Sequence, residues 1–97
     1  MIRSFKAAGT EAIFNGENIR EARRVCPRSL WRVAARKLEQ LDSVITVDEL
    51  RVPPGNRLEL LHGDRTGQHS VRINDQYRIC FVWSELGPAE VEIVDYH

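Results

Sequence analysis

Two stretches of strict apolar–polar alternation, separated by three polar residues, constrain this chain more than any other feature. In residues 69–73, Val71 and Ile73 alternate with Ser70 and Arg72; in residues 77–83, Tyr77, Ile79, Phe81 and Trp83 share one side. Such a period of two marks strands with one buried face. A hairpin must bury the same face on both of its strands. A three-residue loop, Asn74-Asp75-Gln76, achieves this by pairing Ile73 with Tyr77 and Val71 with Ile79. A two-residue loop at Asp75-Gln76 would set Arg72 against Ile79 and mix the faces. The consistent register puts Arg72 directly opposite Arg78, away from the apolar side chains. Like charges so placed repel. The expectation is therefore that an anion bridges them, and phosphate suits the guanidinium fork.

The remaining pattern extends this hairpin into a sheet. Leu86-Gly87-Pro88 turns the chain into a further strand over residues 91–94. Pairing Trp83 with Ala89 brings Ile79 to Ile93 and Arg78 to Val94, so that Tyr96 projects beside the two arginines. Residues 57–61 read as a strand, residues 62–67 as a turn and residues 2–5 as a short strand. Pro53-Pro54-Gly55 breaks the chain before them. In the N-terminal half, Leu30, Ala34, Leu38 and Leu41 form one face of a helix that starts near Pro27. Thr10 is placed to cap a short helix through Phe14, ended by Asn15-Gly16. Residues 17–26 carry weak periodicity and read as a loop or frayed turn. The expected fold is α+β. An N-terminal strand and helices pack on one face of a mainly antiparallel sheet, as one domain over residues 1–97.

Composition narrows the function classes. No apolar run is long enough for a membrane span, and the opening MIRSFKAAGT lacks a signal peptide's apolar stretch. Cys26 and Cys80 offer neither metal-ligand spacing nor a disulfide framework, so reduced thiols and a cytoplasmic location are expected. His62 and His69 stand seven apart and the acids are scattered, so neither a metal nor another cofactor is expected. The net charge of zero conceals a polarity. Residues 1–40 carry nine Lys/Arg against four acids, while the rest carries five Arg against ten acids. The basic half suits a nucleic-acid surface or a solvated helix.

The chain closes on Asp95, Tyr96 and His97, three side chains able to move or steer protons. With Arg72 and Arg78 as paired cations for a phosphodiester, this inventory fits metal-free RNA cleavage. An activated ribose 2′-oxygen attacks the adjacent phosphorus, arginine neutralises the developing charge, and an acid protonates the leaving 5′-oxygen. DNA lacks that hydroxyl, which makes RNA the natural substrate. Trp31 and Trp83 belong by pattern to the core. His69, on the Val71 side, is expected to be partly buried and hydrogen-bonded, and Cys80 lacks an activating base.

The stretch PPGNRLELLHGDRTGQHSVRINDQYRICFVW, followed by VEIVDYH, closely resembles the HigB branch of the RelE/ParE superfamily of bacterial toxins. The MIRSF opening matches as well, and GraT-like toxins are especially similar. The resemblance covers essentially the whole chain and is weakest over residues 15–45. Its specificity lies in the ensemble of a GDR-x-G turn, an arginine before x-x-F and a terminal DYH. It implies a RelE-like α/β fold and a ribosome-dependent endoribonuclease that cuts mRNA in the A site and inhibits translation. It also implies a helix-turn-helix, HigA-like antitoxin, through which the complex binds its own operator DNA. Carried over, Asp95, Tyr96 and His97 match the terminal catalytic group and Arg78 the phosphate-stabilising arginine. Arg65 matches the basic residue of the GDR turn, an RNA contact, to which Arg72 and His62 are added. Some relatives carry a catalytic histidine where this chain has Glu59; His62, three residues on, is the nearest substitute. The competing classes are a non-catalytic ParE-type gyrase inhibitor, against which the DYH ending argues, and a protein-binding module.

Overall fold

A computed structural model describes residues 1–96; His97, expected among the catalytic residues, lies outside the described residues. Four strands form one antiparallel sheet in the order β1 (Glu59–Leu60), β2 (Gln68–Arg72), β3 (Tyr77–Ser84), β4 (Gly87–Asp95). Three α-helices precede it: α1 (Ala8–Asn15), α2 (Arg20–Val25) and α3 (Trp31–Ser43). Apolar residues of α1, α2 and α3 join Val71, Ile73, Ile79, Phe81, Val91 and Ile93 in one buried cluster. The helices therefore cover one face of the sheet, and the arrangement is α+β. No helix among the described residues is long and apolar enough to cross a membrane.

Helix α3 follows from its periodicity. Ala34, Leu38 and Leu41 are fully buried, while Arg32, Arg36 and Glu39 are exposed. Pro27 precedes a short 3₁₀ turn (Arg28–Leu30) that feeds the helix instead of standing inside it. Trp31 and Trp83 pack partly buried against the core, as their pattern required.

Three N-terminal expectations need correction. Residues 20–25 are helical, not loop: Ala22 is fully buried. A Cβ on Gly9 would lie 2.4 Å from both the Glu21 carbonyl oxygen and a Val25 methyl, so α1 and α2 meet backbone to backbone at a glycine. One buried position in six residues is too little to register as a period. Thr10 does not cap α1. Ala7 occupies that position, and the buried Thr10 hydroxyl accepts a hydrogen bond from the Ile93 N–H at 3.1 Å. Residues 2–5 form no full strand; only Phe5 makes a parallel bridge, to Val91. The segment still runs along the β4 edge. Arg3 N–H donates to the Pro88 carbonyl and Lys6 N–H to that of Val91, while Ser4 accepts from the Val91 and Glu90 N–H groups. Together with Thr10 it covers polar groups that an edge strand would otherwise expose.

The hairpin register is the one that alternation demands: Val71 pairs with Ile79 and Arg72 with Arg78. In the next pair, Ile79 meets Ile93 and Arg78 meets Val94 as expected, but the far end does not follow the expected register. Trp83 pairs with Pro88, and Ala89 with Val82. A bulge between Cys80 and Val82 absorbs the extra residue, with Glu90 at a φ of 53° on the opposing strand. Bulges of this kind strengthen local twist and leave a residue unpaired. At its other edge the sheet is shorter than expected, two residues in place of 57–61. Arg57 adopts a φ of 45°, and the buried Asn56 amide donates to Gln40, Leu50 and Val52. That anchor holds the chain off the sheet until Glu59.

Candidate active site

The sheet face turned away from the helices carries Ser70, Arg72, Arg78, Cys80, Glu92 and Val94, positions fixed by the register. Arg78 is central to it and only 9% exposed. Its Nε donates to Ser70 Oγ at 2.7 Å and its Nη2 to the Arg57 carbonyl at 2.6 Å. The Glu59 carboxylate stands 3.8 Å away, and Tyr96 presents its ring 5.9 Å from the guanidinium carbon. A buried cation is tolerable only when paired and hydrogen-bonded. Here two neutral acceptors orient it, one carboxylate balances it and an aromatic face covers it.

Arg72 is handled separately. Its guanidinium bonds the Asp75 carboxylate in the hairpin loop, and that bond, with Arg72's charge and then Arg57's, holds Asp75 below the usual carboxylate range. Each arginine thus has its own acceptor within the chain, which relieves the repulsion that the register sets up. Tyr96 lies against Arg78, and Arg72 is turned toward Asp75.

The GDR turn supplies the opposite wall. His62, Asp64, Arg65, Val94, Asp95 and Tyr96 line an open cleft of about 570 Å³. Arg65 donates to Gln68 at 3.1 Å and to Glu92 at 3.2 Å, and Lys6 reaches the same carboxylate at 3.4 Å. Burial is the largest single influence and opposes the Arg65 charge, but the Glu92 bond together with the fields of Cys80, Glu92 and Tyr96 holds its pKa above the usual value. Asp95 and Tyr96 are pinned to the hairpin loop. Gln76 donates its amide to Asp95 at 3.0 Å and accepts the Tyr96 N–H at 2.6 Å. The fold thus gathers Arg65, His62, Asp95, Tyr96 and Arg78 at one end of the sheet.

A match along the chain accords with this arrangement. The family described as "RelE-like toxin of type II toxin-antitoxin system HigB" matches residues 3–97. The chain belongs to the HigB-like toxin family. Among curated relatives, Toxin HigB-1 of Vibrio cholerae serotype O1 is 47% identical over 60 residues, 62% of this chain and 63% of that protein. An uncharacterised protein of Haemophilus influenzae is 40% identical over 55 residues, 57% of this chain and 54% of that protein. The matches thus span less than two thirds of either relative.

This HigB-like chain also holds site residues that sequence reasoning did not single out. Ser70 and the Arg57 carbonyl are the groups that aim Arg78. Alternation already set Ser70 on the Arg72 face; nothing local announced the Arg57 carbonyl. Glu59, noted only as a departure from a histidine, contacts Arg78 directly. His69 differs from expectation. It stacks on Phe81 at 6.0 Å, yet its buried Nδ1 has no hydrogen-bond partner among the described residues. Both thiols are unsuited to catalysis: burial pushes Cys26 up to about 11 and raises Cys80 as well.

Proposed function

We propose that this protein is the toxin of a type II toxin–antitoxin system, an endoribonuclease that cuts mRNA in the ribosomal A site and thereby arrests translation. The observation that carries the reading is the packing of Tyr96 on a buried, oriented Arg78 with Glu59 beside it. Family membership supports the toxin assignment and, with it, a helix-turn-helix antitoxin whose complex with this chain binds operator DNA. Residues 1–97 act as one toxin domain in the cytoplasm, where ribosomes are.

The chemistry follows from the groups present. The Glu59 carboxylate takes the proton of a ribose 2′-hydroxyl, in the place where some relatives use histidine. The 2′-oxygen then bonds to the adjacent phosphorus while the bond from phosphorus to the 5′-oxygen breaks. This leaves a 2′,3′-cyclic phosphate on one fragment. Arg78 neutralises the non-bridging oxygens as charge builds on them. The terminal group, Asp95, Tyr96 and His97, delivers the proton to the departing 5′-oxygen; the Gln76 bonds hold Asp95 and Tyr96 at the cleft. Arg65, Arg72 and His62 contact the flanking RNA.

The test is cleavage mapping by primer extension on mRNA, both free and bound in a purified translating ribosome. Cuts confined to the ribosome-bound message, at the A-site codon, are expected. An intact message together with inhibition of DNA gyrase supercoiling would overturn the assignment in favour of a ParE-type poison.

A further inference from the structure

Between residues 20 and 36 six arginines (Arg20, Arg23, Arg24, Arg28, Arg32 and Arg36) stand against a single acid, Glu21, and all six are exposed. Arg23 donates to Asn18. Among the described residues the other five reach no carboxylate, whereas Arg51, Arg65, Arg72 and Arg78 each hold one. Arg32 and Arg36, four residues apart, stack along one side of α3, roughly 6 Å apart, and Arg28 stands on the 3₁₀ turn that leads into the helix. That side lies opposite Ala34 and Leu38, which face the core. Like charges at this spacing destabilise a helix.

The row leads toward the site. Next to Arg36, Lys37 bonds the side chain of Asn56, the residue before Arg57, whose carbonyl orients Arg78. Burial first, then the charges of Arg36 and Arg72, lower the Lys37 pKa, so both guanidinia act on one ammonium. Arg28 also lies over the Trp31 ring at 5.7 Å, a cation–aromatic pair at the start of the row.

We propose that Arg28, Arg32 and Arg36, continued by Arg57 and Arg72, form a track for an RNA sugar–phosphate backbone that leads to the scissile phosphodiester at Arg78. This rests on the RNA-cleaving reading above and says where the RNA beyond the cut lies. Exposed guanidinia at Arg28, Arg32 and Arg36 that hold no carboxylate among the described residues suit a polyanion of repeating phosphates. An acidic protein surface is the alternative that the experiment must separate.

Fluorescence anisotropy with the full chain reads binding alone, so a failure to cleave leaves this test intact. The probes are a 2′-O-methyl single strand and a 2′-O-methyl hairpin, which distinguish unpaired message from structured RNA. For the triple variant Arg28→Gln, Arg32→Gln, Arg36→Gln, affinity at low salt should fall by at least about tenfold for one of the probes. The slope of log K against log salt should become shallower by about 2 for the strand, or nearer 3 for the hairpin, from three lost phosphate contacts. If the triple variant fails to fold by circular dichroism, Arg32→Gln alone should lower the slope by about 0.7 to 0.9. Unchanged affinity and slope for both probes would overturn the track. So would intact RNA binding combined with loss of an acidic protein partner, which would assign the row to a protein interface.

Discussion

At the scale of single residues, the open sheet face shows how a cation is kept in place by acceptors within the chain. Arg78 has a hydroxyl, a carbonyl and a carboxylate of its own, so its guanidinium is fixed before any RNA arrives. Preorganisation of this kind lets a charge act on a transition state without reorienting. It also changes what truncation means. Replacing Arg78 by Ala would strand buried Ser70 and the Arg57 carbonyl, so activity lost in that variant could not be separated from fold. Lysine, which keeps the charge but not the fork, is the cleaner probe. His69 yields a prediction about pH. Burial first, then the charge of Arg51, lowers its pKa from 6.5, with Asp48 opposing. The unfolded chain therefore binds a proton near pH 6.5 that the folded chain resists. The contribution is complete above that pH and is lost as pH falls through the folded pKa. Urea denaturation between pH 7.5 and 5 should show stability declining, and His69→Phe should flatten that decline. An equal decline in the variant would mean other groups are responsible.

At the scale of elements, the parts legible in the sequence were those with a strong period. The β2–β3 register, the buried face of α3 and the approach of Tyr96 to Arg78 all follow from alternation or from helical spacing. Helix α2 was hidden because Ala22 is its single buried residue, and its contact with α1 depends on a missing Cβ at Gly9. The bulge beside Glu90 was hidden because alternation fixes faces but not an inserted residue. Thr10 was misread because its local sequence suits a cap, whereas tertiary contact with β4 decides its role. That contact is testable. Thr10→Val keeps the shape but leaves the Ile93 N–H without its acceptor, and should cost about 1–3 kcal/mol. Chemical denaturation of the pair measures it, and an unchanged midpoint would show that the bond contributes nothing to holding α1 on the sheet.

For the whole molecule, the layered fold separates two tasks. Helices and the inner sheet face supply the buried cluster, which leaves the outer face free to collect Arg78, Glu59, Tyr96 and the GDR turn at one end. The candidate site was therefore legible in outline, through the register and the terminal residues. Glu59's contact and Arg72's diversion to Asp75 needed three dimensions. The central claim is that this outer face cuts RNA with Arg78 bearing the charge of the transition state. Single-turnover cleavage of ribosome-bound mRNA by Arg78→Lys, beside the unaltered protein and with melting curves for both, tests it most directly. The expected result is a folded variant that cleaves about 10²-fold more slowly, the scale of losing one charge-stabilising donor. A folded Arg78→Lys protein that cleaves at the full rate would contradict it.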